Sequence, residues 1–273
     1  MTWLEYCVSF IPKLIKNYKI CSGRTLDISK PLTFTDKIQW LKIYDSTMLK
    51  AFAADKVTVH AFYKMQLGMD IGIPLIAVYD NPDEIDWNSL PSDMVIKCNH
   101  GSGYNLILHD KSPKTIKSTK ETLAKWLNED YANRYCELHY SLIPRKILVE
   151  QYIDNLVDSK IFCFNGVPKF YQIDKHFTEN RMNFYDMQGK PLTWLSNTHY
   201  PANYKVIDEI PPHMDELADM AAKLCKPFKF VRVDFYTAGD KIYGGELTFT
   251  PGAGIQSYAG EGDRKLGDML DLQ

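Results

Sequence analysis

Apolar residues recur at helical spacing through the first part of the chain. Trp3, Leu4, Cys7, Val8, Ile11, Leu14, Ile15 and Tyr18 gather on one side of a helical wheel, and Lys13, Lys16 and Lys19 fall elsewhere. Pro12 kinks or shortens this helix. A second stripe, Phe34, Ile38, Leu41 and Tyr44 with Trp40 beside it, predicts a helix over 34–44 with Thr35 as its N-cap. A third helix opens at Asp55-Lys56 and runs to Leu67, where Gly68 stops it.

From residue 75 onward the period changes to two. Strands are predicted at 75–79, 94–98, 106–109 and 146–150, with a helix over 117–128 among them. Asn165-Gly166, the strongest short-range turn signal in the chain, joins strands 158–164 and 167–174. A second hairpin, 184–187 with 192–195, is expected around Gln188-Gly189-Lys190. After a helix over 215–226 comes a third, 230–236 with 241–248, turning at 237–240. A short helix over 264–272 ends the series. The order reads as α+β: a mostly helical segment over 1–74, a small lobe over 75–149 and a larger antiparallel lobe over 150–273, with a cleft between the lobes.

The third hairpin carries chemistry. Its first strand alternates Val231, Val233 and Phe235 with Arg232, Asp234 and Tyr236, and its second places Glu246 and Thr248 on one face. Pairing across the short turn brings Asp234 opposite or diagonal to Glu246. Neighbouring carboxylates repel, so they call for a divalent metal or a shared proton. The alternation is equally that of a solvated sheet face, with its carboxylates in water beside Arg and Lys. Residues 99–105 form a second candidate, a turn in which Gly101 and Gly103 flank Ser102 and backbone N–H groups can approach an anion closely. It lacks the spacing of a Walker A loop or a dinucleotide fingerprint and joins strand to strand, so alone it is also an ordinary hairpin turn. Lys97, just inside the preceding strand, strengthens the phosphate reading.

Composition narrows the class. A chain of 273 residues with 45% hydrophobic residues can bury a sizeable core, as one large domain or two small ones. The net charge of -2 argues against general nucleic-acid binding, which needs a basic excess. Cysteines 7, 21, 98, 136, 163 and 225 form no CxxC pair, so they read as reduced cytosolic thiols rather than zinc ligands. No apolar run reaches the roughly 20 residues that cross a bilayer. The first helix could still lie on an anionic membrane face, although packing on the core is the commoner use of such a helix.

Taken in order, Asp55-Lys56, the VIK ending in Lys97, the Gly-rich turn, VEQYI around Glu150, RVD with Asp234 and ELTFTPG resemble the ATP-grasp superfamily. The wording of PLTFTDKIQWLKIYD, KIFCFNGVPKFYQID and GELTFTPGAG is most similar to its TupA-like branch, found among polysaccharide-biosynthesis proteins. The resemblance covers roughly residues 30 to 270. It implies two α+β lobes clasping ATP. Lys56 and Lys97 match lysines on the ATP phosphates, and His100, Gly101, Ser102 and Gly103 match the loop that closes over them. Glu150, Gln151, Tyr152 and Ile153 match the hinge at the adenine, and Asp158 falls near the ribose-binding carboxylate. Asp234 and Glu246 match magnesium ligands, and Arg232 matches the arginine that steadies the reacting phosphoryl group. Two departures stand out. Thr248 occupies the place where many members have Asn as a third ligand, and the helical segment is short for the usual α/β N-terminal domain.

The activity this implies is ATP- and Mg²⁺-dependent ligation of a carboxylate to an amine through an acyl phosphate. The TupA-like context suggests a uronic acid of a capsular or cell-wall polysaccharide and an amino acid or small amine, in the cytoplasm or at the inner membrane face. Lys160, Lys169, Lys175 and Arg181 are candidates for phosphate or acceptor contacts, or else belong to a solvated strand edge. Two rivals remain: a sugar or polyol kinase of the same fold, and a glycosyltransferase or polysaccharide-binding protein, suggested by 17 tyrosines and 5 tryptophans that could stack on sugars.

Overall fold

A computed structural model describes residues 1–206 and 208–273, apart from the side chains of His176 and Phe177. The chain divides into two compact units, Met1–Ser46 with Leu156–Gln273, and Thr47–Asn155. These bounds replace those expected at 74 and 149, because the first 46 residues pack with the C-terminal part.

The first unit begins with α1 (Trp3–Ser9), α2 (Ile11–Ser22) and α3 (Phe34–Tyr44). The single helix expected over the first stripe is two, broken at Phe10, since Pro12 is tolerated only in the first turn of α2. Cys7, Leu14 and Tyr18 are their buried residues. Thr33, not Thr35, caps α3, in a capping box with Asp36. Thr35 instead donates its hydroxyl to Asp263 Oδ2 at 2.6 Å and its backbone N–H to Asp263 Oδ1 at 2.9 Å.

In the second unit, the helix expected from Asp55 to Leu67 is α5 (Val59–Leu67), which starts four residues later, and an unanticipated helix, α4 (Met48–Ala54), precedes it. Asp55 ends α4 and accepts the Val57 N–H at 2.9 Å, so residues 55–58 form a turn. After β1 (Leu75–Tyr79), β2 (Met94–Cys98) and β3 (Asn105–Leu108) comes α6 (Pro113–Asn128), started ahead of 117 by the Ser112 cap and Pro113. Next are α7 (Tyr131–Arg134) and β4 (Ile147–Gln151). The sheet is antiparallel in the order β1-β4-β2-β3. Met94, Ile96, Cys98, Ile147 and Val149 pack with Leu123 of α6 in its core.

The chain then returns to the first unit with β5 (Val157–Phe164), β6 (Val167–Asp174), α8 (His176–Glu179), β7 (Met182–Asp186), α9 (Met214–Cys225), β8 (Phe230–Ala238), β9 (Lys241–Thr248) and α10 (Gly262–Asp268). The antiparallel order is β7-β6-β5-β8-β9. Asn165 and Gly166 take the expected turn with φ of 48° and 75°. The second predicted hairpin is different: residues 192–195 are not a strand, and β7 pairs with β6, touching the returning chain only at the bridge Tyr185↔Pro191. One sheet face lies under α9. On the other, Phe162, Phe164, Phe170 and Phe230 form a core with Phe34, Ile38 and Leu41 of α3 and Leu266 of α10. Rings interlock there, Phe34 with Phe230 at 5.0 Å and Phe162 with Phe170 at 4.6 Å. That apolar cover stops at the Phe162↔Arg232 row, and the polar residues begin.

Candidate active site

On the first unit, β8 and β9 pair Asp234 directly with Glu246 and Arg232 with Thr248. Paired positions share a face, so these four side chains stand together. A bulge between Asp234 and Phe235 makes Gly245 the extra residue, beside Glu246. A Cβ at Gly245 would lie 2.9 Å from the Asp234 carbonyl oxygen and 2.8 Å from Tyr236, so the bulge needs glycine. From the neighbouring strand β5, Lys160 pairs with Asp234, completing the row Lys160–Asp234–Glu246.

The electrostatics are tight. Arg232 donates through Nε to Asp234 Oδ1 at 2.7 Å and through Nη2 to Oδ2 at 2.6 Å, and reaches Thr248 Oγ1 at 3.2 Å. Thr248 donates to Glu246 Oε1 at 2.8 Å, which lies 3.5 Å from Arg232 Nη2. Asp234 is 3% exposed, and burial lifts its pKa to about 6 although Arg232 and Lys160 favour its charge. Burial works against the charge of Arg232 too, but Asp234 and Glu246 hold its pKa above the ordinary value. Burial thus acts on both partners of this pair, and each holds the other's charge through two hydrogen bonds. Among the described residues no group of three or more His, Cys, Asp or Glu gathers as a metal cage. Two opposed carboxylates nevertheless suit Mg²⁺, which takes few protein ligands and fills its shell with phosphate oxygens and water.

After β9, the turn Pro251–Gly254 runs through Gly252, Ala253 and Gly254, all at positive φ, an unusual conformation for alanine. Gln39 Nε2 donates to the Gly254 carbonyl at 2.7 Å and Lys42 Nζ to that of Ala253 at 2.5 Å. Both belong to α3 and are buried. Sequence reasoning passed over this pair. The signal was present as two polar side chains, i and i+3, on a helix face otherwise given to the core.

The second unit carries the remaining candidates. Lys97 Nζ and Glu150 Oε2 form an ion pair at 2.5 Å, with 18% and 8% of the side chains exposed. Lys56 Nζ donates to the Gly101 carbonyl at 2.7 Å, so it holds the Gly-rich turn. Gly101 is buried where a Cβ would meet Tyr131 at 2.7 Å, whereas Ser102 and Gly103 at the tip are exposed. His100 turns inward rather than toward the tip. It is 2% exposed, Nε2 faces the Trp126 carbonyl at 3.1 Å, burial lowers its pKa, and Nδ1 has no partner among the described residues. Asn99, not anticipated as functional, fixes the base of the turn: its Nδ2 donates to Asp55 Oδ1 at 2.8 Å, and its Oδ1 accepts the Lys146 N–H at 2.7 Å. Gln151 ends β4 with its N–H on the Pro74 carbonyl at 3.0 Å. Tyr152 packs edge-on against His109 at 5.0 Å, and Ile153 is half-buried.

The other candidates lie on the first unit. Lys160 pairs with Asp158. Lys175 is exposed beyond β6, and Lys169 is exposed three residues from the Asn165-Gly166 turn, toward the opposite end of that strand. Arg181 is 5% exposed and locked to Asp208 and Glu179, so its charge is already used.

The fold is the first level at which known proteins agree with this arrangement. D-alanine–D-alanine ligase from Helicobacter pylori aligns with a TM-score of 0.50 at 13% identity, over 87% of this chain and 69% of that one. At such identity the likeness speaks to fold alone, and that fold is ATP-grasp. D-alanine–D-alanine ligase from Bacillus anthracis, complexed with ATP, aligns at 0.48 and 15% identity over 81% of this chain and 66% of its own. The ATP-grasp ligase PsnB, complexed with a precursor peptide and AMPPNP, aligns at 0.42 and 10% identity over 79% of this chain and 57% of its own. The chain thus spans less than two thirds of these last two proteins. No curated protein matches it. The family model for TupA-like ATPgrasp matches residues 36–271, and the chain belongs to that family.

Proposed function

We propose that the chain is an ATP- and Mg²⁺-dependent ligase that joins a carboxylate to an amine. The observation that carries this reading is the row Lys160–Asp234–Glu246 with Arg232 bonded into it, a concentration of charge suited to the phosphoryl transfer from ATP with which such a ligation begins. Asp234 and Glu246 would hold Mg²⁺, with Thr248 as a neutral neighbour, and the metal would supply neutralising charge for the phosphates. Arg232 steadies the transferring phosphoryl group. Lys56 and Lys97 exchange their present partners, the Gly101 carbonyl and Glu150, for phosphate oxygens, and the Ser102–Gly103 tip covers them. Residues 150–153 take the adenine and Asp158 the ribose.

In the reaction, a carboxylate oxygen of the acceptor attacks the γ-phosphorus and ADP leaves. The amine nitrogen then attacks the acyl carbon, the C–N bond forms, phosphate departs with its oxygen, and the amine loses a proton. The acceptor is a uronic acid of a capsular or cell-wall polysaccharide or its precursor, in keeping with the branch to which the family belongs. No helix among the described residues is long and apolar enough to cross a membrane. Exposed Leu4 and Val8 on α1, with exposed Lys13 and Lys16 on α2, suit work at the inner membrane face.

The test is a screen of uronic-acid glycosides against amines, scored by ADP release and product mass. ADP release that requires both partners, with an amide product, supports the ligase. A phosphoester formed with a hydroxyl acceptor alone would make it a kinase.

A further inference from the structure

The first unit holds a cavity of about 800 Å³ between the turn after β7, the stretch 210–213 and the first turn of α9, within the roughly 300–1,000 Å³ of small-molecule sites. It is separate from the row of charges. Tyr171, in its lining, pairs with Ile161 and alternates with Phe170, which faces the aromatic core with α3, whereas Lys160 shares the face of Phe162 in that core. The cavity and the row therefore lie on opposite faces of the sheet.

One buried group of the lining lacks a partner. Tyr171 and Tyr185 stack at 5.4 Å and are 1% and 5% exposed. Tyr185 donates its hydroxyl to Asp208 at 2.7 Å. The Tyr171 hydroxyl has no partner among the described residues, and burial pushes its pKa up to about 12, so it stays a neutral phenol. A buried hydroxyl left without a hydrogen bond is costly, so the place where it emerges matters. A Cβ at Gly189 would lie 3.7 Å from the Tyr171 oxygen and 3.2 Å from Ile210 Cδ1. Gly189 and Ile210 both line the cavity, so the hydroxyl is aimed into it.

The rest of the lining selects the ligand. Among the described residues it includes no lysine or arginine, so an anion finds no counter-charge. Asp215 and Glu216 stand in the first turn of α9, where the helix dipole offsets their charge and leaves them as hydrogen-bond acceptors. His213 presents Nε2 to the Gly239 carbonyl at 3.1 Å. A carbonyl only accepts, so Nε2 carries the hydrogen and Nδ1 is left to accept. Among these polar groups lie Met187, Met214 and Ile210, the last 60% exposed. A phenol surrounded by acceptors and apolar surface suits a neutral ligand that carries many hydroxyls on a frame with C–H faces.

We infer that this cavity binds a neutral saccharide, with the Tyr171 hydroxyl bonded to a sugar hydroxyl and a C–H face of the ring resting on Ile210 and the two methionines. The inference goes beyond the ligase reading and stands without it, since the cavity and the row of charges share no residue.

Ligand-observed NMR on the full chain tests it, with cellobiose, lactose, maltose and diacetylchitobiose as neutral probes. At least one of them binds with a Kd of about 10 mM or below, and neither glucuronate nor ethylamine at the same concentration displaces it. Tyr171→Phe, which removes only the oxygen, weakens that sugar about tenfold, leaves thermal stabilisation by Mg-ATP as it was, and leaves Tm unchanged or higher. Ile210→Ala, at an exposed position, gives a smaller loss in the same direction. No signal from any of the four sugars, displacement by ethylamine or glucuronate, or a sugar affinity untouched by both substitutions overturns the site. A fall in Tm in Tyr171→Phe overturns it as well, because the hydroxyl would then have its partner within the chain.

Discussion

Asp234 shows how one residue can be stable in place and still want a further partner. Its two oxygens are held by Arg232, burial lifts its pKa to about 6, and on the neighbouring strand it faces a second carboxylate, Glu246. Asp234→Asn and Glu246→Gln are therefore expected to cut turnover by about a hundredfold or more while far-UV circular dichroism is unchanged. Near-normal turnover in both variants would remove them from the reaction. Asp208 illustrates the opposite balance. Burial raises its pKa, but donation from Arg181, Tyr185 and Asn183 outweighs this and leaves the value lowered. A carboxylate lowered in the folded state contributes stability above its unfolded pKa of about 3.9 and loses it as pH falls through the folded value. Asp208→Asn should thus destabilise the chain by about 3 kcal/mol at pH 7, since it removes the two-pronged partner of the buried Arg181 and leaves it Glu179 as its carboxylate. The gap in Tm between wild type and variant narrows as pH falls below about 4, which a pH series of thermal melts reads directly.

At the scale of elements, period and turn chemistry carried most of the information. The hairpin of β8 and β9 and the Asn165-Gly166 turn were legible because side-chain alternation and positive φ are local demands. The false hairpin at 192–195 failed for the complementary reason: Gln188-Gly189-Lys190 does turn the chain, but β6 offers β7 a full ladder, and a distant strand outbid the near one. α4 escaped notice because seven residues give too little period to register. The bulge at Gly245 was equally hidden, since nothing in GGELT says which glycine is extra. Its role is nevertheless exacting. Gly245→Ala would press a methyl group against the Asp234 carbonyl, which the ladder holds in place, and shift Glu246 with it. The expected cost is about 1–3 kcal/mol in urea unfolding, together with a rise in the Mg²⁺ concentration needed for half-maximal turnover. A stability loss with unchanged Mg²⁺ dependence would mean that the bulge does not aim Glu246.

The whole molecule was the hardest level to read, because the partition of the chain depends on contacts far apart in sequence. The pairing of Asp234 with Glu246 in the hairpin was legible from alternation, but nothing local to residues 1–46 announces that they complete the C-terminal unit. Three sets of contacts decide it. Phe34, Ile38 and Leu41 close the aromatic core, Thr35 and Arg24 grip Asp263, and Gln39 and Lys42 hold the turn that follows β9. Gly267 admits the backbone of Leu32 and Phe34 so closely that a Cβ would lie 2.5 Å from the Leu32 oxygen. Burying each of the three apolar side chains contributes about 1.5–3 kcal/mol. Their loss is comparable to the whole stability of a domain, about 5–15 kcal/mol. A chain lacking residues 1–46 is therefore expected to lose hydrogen-exchange protection across β5, β6, β8 and β9 while the amides of β2 and β4 keep theirs, since those strands draw their core from within 47–155. Uniform loss across both sheets would show that the two units do not unfold independently. Retained protection in β5 and β8 would show that α3 is not a necessary part of that core.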